Sequence, residues 1–141
     1  MKQYNILVIF SPDRGRVLMC RRRKPPYAGI LNFTGGKIEL GETHENAAYR
    51  ELFEETAIPR DAVHLTHLID LAYPLEHGNL CEVWCGVLRR EVEAEGDENE
   101  LLWVPVSDDF TDVTRFAGCG NVYHMMQYAA AHIDAITQHD N

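Results

Sequence analysis

The sequence predicts an α/β fold in which a mixed β-sheet lies between helices. Three observations lead there. β-rich apolar runs stand before and after a helical stretch at 43–56 that lacks glycine and proline; a second helical stretch closes the chain; and no repeat, linker or low-complexity tract interrupts them. At 141 residues and 45% hydrophobic content, a single domain over 1–141 with one core and one active site is expected.

Tyr4 to Phe10 is apolar and β-rich and ends at the turn formers Ser11-Pro12-Asp13. Arg16 to Cys20 repeats the pattern after Gly15, so the two runs read as a hairpin. Residues 24–29 form a loop by composition, and Ile30 to Phe33 is a short extended piece leading into Gly35-Gly36. Thr43 to Thr56 is rich in helix formers, with Thr43 as N-cap and Glu45 at the positive end of the helix dipole. Ala48, Tyr49, Leu52, Phe53 and Thr56 fall at helical spacing as a core-facing stripe, and Pro59 ends the helix. Strand-like stretches follow at 63–75 and 80–88, separated by a turn at Glu76-His77-Gly78-Asn79. Residues 91–100 form an acidic loop, and Leu101 to Val106 returns to the core with Trp103. The last helix, 122–136, places Val122, Met125, Met126, Ala129 and Ile133 on one face, where the methionines are core packing.

A net charge of −9 and a pI near 5.1 argue against a broad basic face for a nucleic-acid polymer. An acidic chain that handles phosphates must concentrate positive charge locally or take it from metal ions, and the 22 acidic residues fit the second option. Cys20, Cys81, Cys85 and Cys119 include no C-x-x-C pair, and no secretory segment leads the chain, which suits a reduced, cytoplasmic compartment. Cys81 and Cys85 share one face of a strand; with His77 alone nearby they make a poor zinc set and read as buried or idle thiols. No run approaches the roughly 20 apolar residues of a membrane span.

Glu51, Glu54 and Glu55 stand at i, i+3 and i+4 of the first helix and project from one patch of its surface. Like charges at this spacing cost about 0.2–0.5 kcal/mol per pair on a bare helix. Either water solvates the patch, as on many surface helices, or a cation compensates it. Carboxylate oxygens suit Mg²⁺ or Mn²⁺. The surroundings favour the cation: Gly35-Gly36 permits close backbone approach, Lys37 can contact phosphate, Gly41-Glu42 leads into the helix, and Arg50 can pair with a carboxylate and hold the cluster.

Read as a string, Gly36-x5-Glu42-x7-Arg50-Glu51-Leu52-x-Glu54-Glu55-x-Ala57-Ile58 resembles the Nudix box, with eight of nine specified positions matched over 23 residues. Ala57 is the departure: it stands where the family has glycine, at the helix exit, where a left-handed residue is expected. The resemblance implies an α/β/α sandwich and an enzyme that hydrolyses a nucleoside diphosphate linked to a further group. It also implies divalent-metal binding by Glu51, Glu54 and Glu55, a ligand role for the Gly36 carbonyl, and structural support from Glu42 and Arg50. Metals neutralise charge on the transferring and leaving oxygens in such chemistry. The general base is Glu51 or an acidic residue of the later loop, where Asp97, Glu98 and Glu100 are available and Glu98 is preferred.

Specificity lies outside the box. Asn32, in Leu31-Asn32-Phe33-Thr34-Gly35-Gly36-Lys37, resembles the W-N-G-F-G-G-K segment of oxidised-purine hydrolases of the family; otherwise it is a turn residue. Asn121 opens the last helix where MutT-type enzymes have a base-reading asparagine, although a plain N-cap explains its position equally. Arg21, Arg22 and Arg23 alternate along a strand end and either bind a triphosphate tail or are solvated edge charge. Tyr27 and Phe33 are stacking partners for a base or core residues. The leading expectation is a MutT-like nucleoside triphosphate pyrophosphohydrolase acting on oxidised purine nucleotides such as 8-oxo-dGTP. Alternatives are a Nudix hydrolase of ADP-ribose, nucleotide sugars or dinucleoside polyphosphates, and a non-catalytic nucleotide-sensing domain. The resemblance is compatible with a homodimer and implies no nucleic-acid polymer or membrane partner.

Overall fold

A computed structural model describes residues 2–25, 28–74 and 78–140, with side chains to residue 135. In chain order its elements are β1 (Lys2–Phe10), β2 (Arg16–Arg21), β3 (Leu31–Asn32), β4 (Thr34–Lys37), α1 (His44–Thr56), β5 (Thr66–Tyr73), β6 (Asn79–Val87), β7 (Glu100–Pro105) and α2 (Asn121–Asp140). A 3-10 turn at Arg60–Ala62 follows α1 and delays β5, which starts later than the apolar pattern suggests.

β1 is apolar on both faces: Leu7 and Ile9 pack to one side, Val8 and Phe10 to the other. Such a strand needs cover above and below. Its parallel neighbour β6 runs beside it from Lys2↔Asn79 to Phe10↔Val87, and β5 pairs antiparallel with β6 at the edge. The other side of β1 is divided between two strands. β4 holds Tyr4 to Leu7 antiparallel, and β2 meets β1 only at Phe10↔Val17. The hairpin expected from the first two runs is therefore reduced to its turn, and β2 instead pairs along its length with β7 and at its end with β3.

β4 is a strand where the sequence suggested only a glycine-rich approach. Its glycines are there for want of room: a Cβ on Gly35 would lie 2.1 Å from the Asn5 carbonyl oxygen.

α1 packs on the face that carries Leu7, Ile9, Leu18 and Trp84. α2, through Val122, Met125, Met126, Ala129 and Ile133, packs on the face of Val8, Val17, Met19, Val83 and Cys85. The result is the expected α/β/α sandwich around a mixed sheet. Cys85 is buried in the α2-side core, which pushes its thiol up to about 12, and all four cysteines are free. No helix among the described residues is long and apolar enough to cross a membrane. Tyr27, Glu76 and His77 lie outside the described residues.

Thr43 caps α1, its hydroxyl accepting from the Asn46 amide at 3.1 Å. The buried face of the helix is rotated from the expected stripe. Ala47, Ala48, Tyr49, Leu52 and Thr56 are buried, but so is Glu51, whereas Phe53 is 57% exposed. Ala57 ends the helix in the left-handed region at φ 62° and donates its amide to the Phe53 carbonyl at 2.8 Å. A side chain at such a φ carries strain, which glycine relieves at the cost of a more flexible unfolded chain. Ala57→Gly is expected to stabilise the fold by roughly 0.5–1 kcal/mol in urea denaturation; a lower midpoint would show that the left-handed exit is unstrained.

Candidate active site

The site begins where β4 crosses Asn5. The Asn5 side chain is buried, and its Oδ1 accepts the Gly36 amide at 3.0 Å. Above it, the Glu51 carboxylate lies against the Gly36 backbone: a Cβ on Gly36 would stand 2.3 Å from the carboxyl carbon. Burial raises the Glu51 pKa, opposed by its hydrogen bond with Arg50. Glu54, one turn on, is more exposed. Glu55 has its pKa raised by burial first, and then by Glu51, Glu98, Asp97 and Glu54. The acidic loop 91–99 is thus close enough to act electrostatically on the helix. Its approach is fixed by the Glu95 amide, which donates to the Thr56 carbonyl at 2.9 Å.

Arg50 ties these parts together. Its Nε and Nη2 donate to the two Glu42 oxygens at 2.9 and 2.6 Å, Nη1 to Glu51 and Glu54 at 3.0 Å each, and Nη2 also to the Lys37 carbonyl at 3.1 Å. The Arg50 guanidinium, together with the Glu39 amide, holds the Glu42 carboxyl at about 2. Lys37 itself is exposed beside an open groove of about 570 Å³ whose walls include Gln3, Glu39 and Glu42.

The expected specificity residues are spread around this centre. Arg21 reaches Glu100 at 3.7 Å, the Arg22 Nε donates to the Lys24 carbonyl at 3.3 Å, and the Arg23 amide donates to Asn99 Oδ1 at 3.3 Å; all three arginines are exposed. Asn32 is exposed, and its Oδ1 accepts the Phe33 amide at 2.8 Å. Phe33 is buried in the α2-side core and is not free to stack on a base. The strand carrying Asn32 bridges Leu31 to Phe116, on the segment that leads to Asn121. Asn121 is the first residue of α2, and its side-chain Nδ2 donates to the Tyr73 hydroxyl at the end of β5. Tyr73 was not singled out in the sequence, and its only local sign was an aromatic at a strand end.

Three carboxylates, Glu42, Glu51 and Glu54, share one guanidinium, Glu55 stands next to them on the helix, and the glutamate oxygens, with the Gly36 carbonyl, are hard donors of the type that Mg²⁺ accepts. A NUDIX domain model matches residues 1–117. The chain belongs to the Nudix family. As a Nudix enzyme it is a hydrolase of pyrophosphate bonds, and enzymes of this family generally use divalent metal ions. It is 35% identical over 103 residues to the 8-oxo-dGTP diphosphatase of Escherichia coli, covering 71% of this chain and 78% of that one. To the dihydroneopterin triphosphate diphosphatase of Escherichia coli it is 41% identical over 71 residues, covering 50% of this chain and 45% of that protein. Its fold is similar to that of a C. elegans Ap4A hydrolase, with a TM-score of 0.78 at 17% identity over 96% of this chain and 99% of that chain.

Two outcomes test this Nudix centre. Gly36→Ala drives a methyl group into the Glu51 carboxylate and is expected to lower metal-dependent turnover by about 100-fold, while circular dichroism shows the fold retained; near-normal turnover would mean that Glu51 need not touch this backbone. Because the folded Glu42 pKa lies below its unfolded value near 4.5, its pairing with Arg50 stabilises the loop above that value. That contribution is lost as pH falls toward about 2, and carboxyl NMR of Glu42 is expected to titrate there.

Proposed function

We propose that this Nudix hydrolase is a MutT-like nucleoside triphosphate pyrophosphohydrolase that removes oxidised purine nucleotides, 8-oxo-dGTP foremost, with Mg²⁺ as its ion and Mn²⁺ as a substitute. The observation that carries the reading is the Asn121 side chain. At the start of α2 its Nδ2 donates to the Tyr73 hydroxyl, which ties it to the end of β5, beside the segment that bridges to the strand of Asn32. An amide so oriented donates and accepts along a purine edge. The similarity to an 8-oxo-dGTP diphosphatase over most of both chains supports the same choice.

In this reading Glu51, Glu54, Glu55 and the Gly36 carbonyl hold the metal, which neutralises phosphate charge and acidifies water. Glu98 accepts the proton of the attacking water, with Glu51 as the alternative; the influence of Glu98 on Glu55 supports its nearness to the box helix. Lys37 and the arginines at 21–23 steady the triphosphate tail, Arg21 exchanging its exposed contact with Glu100 for phosphate. The free thiols suit the reducing cytoplasm. The products are a nucleoside monophosphate and pyrophosphate.

Hydrolysis of a panel of canonical and 8-oxo nucleotides, ADP-ribose, dihydroneopterin triphosphate and a dinucleoside polyphosphate tests this. The expected result is Mg²⁺-dependent preference for the 8-oxo purine. Loss of that preference by about tenfold or more in kcat/KM is expected for Asn121→Ala, and loss of all turnover for Glu54→Gln. Turnover of ADP-ribose or the dinucleoside polyphosphate without the 8-oxo nucleotide would overturn the specificity and leave the family activity standing.

A further inference from the structure

Around the N-terminal end of α1, across Asn5 from the Gly36 backbone, two imidazole–carboxylate contacts share the neighbourhood of Glu82. His67 Nε2 lies 2.6 Å from Asp70 Oδ1, and His44 Nδ1 lies 2.5 Å from Glu82 Oε2. One ligand-type atom from each of His67, Asp70 and Glu82 falls within 4.8 Å of the other two. That spacing is not what a regular strand gives. Positions 67 and 70 are an odd number apart and would face opposite sides of β5, but a bulge between His67 and Ile69 turns both toward Glu82. His67 is further fixed by stacking on Trp84 at 5.0 Å, and Trp84 Nε1 donates to the second Glu82 oxygen at 3.2 Å.

Two buried groups show that something more belongs here than a pair of surface contacts. Glu82 is only 4% exposed, an environment in which a carboxylate requires compensation by positive charge. Directly across from it in the β1–β6 register is Asn5, 2% exposed, on the same α1-side face as Leu7. The Asn5 oxygen is used by Gly36, but its Nδ2 has no hydrogen-bond partner. An orphaned buried donor beside a carboxylate cluster matches an oxygen ligand, such as water, carried by a cation.

We propose that His67, Asp70 and Glu82, with His44 held on the Glu82 carboxylate as an outer partner, form a second metal site that takes a divalent transition ion of the zinc class. One imidazole nitrogen and two carboxylate oxygens, with water in the fourth position, are a donor set for zinc rather than magnesium. The ion takes the place of the hydrogen bond between His67 and Asp70, the imidazole binding through the lone pair of Nε2 with its proton on Nδ1. Trp84 orients both the His67 ring and the Glu82 carboxylate, as outer partners do at metal sites. This site is independent of the substrate reading above.

Zinc binding to the full chain is measured by chelator competition and calorimetry with Mg²⁺ in excess, comparing wild type with His67→Ala, Asp70→Asn and the box variant Glu54→Gln/Glu55→Gln. Both β5 positions are exposed, so their replacement leaves the core intact, and circular dichroism verifies this. One zinc equivalent is expected whose affinity falls by about tenfold or more in each β5 variant and stays unchanged in the box variant. Cobalt loading is expected to give an imidazole-ligand absorption band that His67→Ala removes. Zinc affinity unaffected by His67→Ala and Asp70→Asn, or lost only in the box variant, would overturn the site and leave two ordinary ion pairs.

Discussion

Arg50 is the interaction on which the arrangement of the box glutamates rests. A guanidinium has five N–H donors in a rigid planar fork, and the contacts of Arg50 use its Nε and both terminal nitrogens. Two of its contacts hold Glu42 on the loop before α1 and one holds the Lys37 carbonyl at the end of β4; the others hold Glu51 and Glu54 on the helix. One side chain thereby joins the glycine strand to the glutamate face. A lysine could not replace it, because a single ammonium cannot span a loop carboxylate, a backbone carbonyl and two helix carboxylates at once. Through its 3.0 Å bond to Glu51 the fork holds that carboxylate where it lies against the Gly36 backbone.

The sheet supplies the other half of the constraint. By dividing one side of β1 between β4 and β2, it places the glycine pair against Asn5 and leaves the start of β2 to β7. Asn5 then stands between two polar centres, holding Gly36 through its oxygen and facing Glu82 across the parallel pairing with β6. The same helix is fastened at three levels: His44 on Glu82 at its first turn, the Tyr49 hydroxyl accepting the Leu65 amide at 2.9 Å in its middle, and the Thr56 carbonyl holding the acidic loop at its end. Such anchoring explains how three clustered carboxylates are kept in place without a packed apolar partner for each.

What was legible in the sequence was local. The N-cap of Thr43, the limits of α1 near Thr56, the left-handed need at Ala57 and the core face of α2 follow from spacing and from backbone requirements within a few residues. The rotation of α1 was not legible, because an apolar stripe counts Phe53 as core and Glu51 as surface, whereas the site buries Glu51 and leaves Phe53 out. β4 was hidden because glycine gives no strand signal; only its pairing with β1 makes it one. The joining of His67 to Asp70 requires a bulge, and the joining of Asn121 to Tyr73 requires the fold to bring together residues 48 positions apart.

Charge sets the final constraint. The box helix and the loop at 97–98 place several carboxylates near one guanidinium, in a chain whose net charge is already −9. A triphosphate approaching that face alone meets repulsion at every distance within the Debye length, about 8 Å at physiological salt. Burial first, and neighbouring carboxylates after it, raise the pKa values of Glu51 and Glu55. A divalent cation resolves both repulsions together, because carboxylates and phosphates then share one positive centre instead of facing each other. The exposed cations at Lys37 and residues 21–23 are suited to guide the tail of the substrate, but they lie outside the glutamate cluster and do not neutralise it. In the proposed reading the acidity of this face calls for a metal ion, and the choice of nucleotide falls to the amides and the tyrosine beyond it.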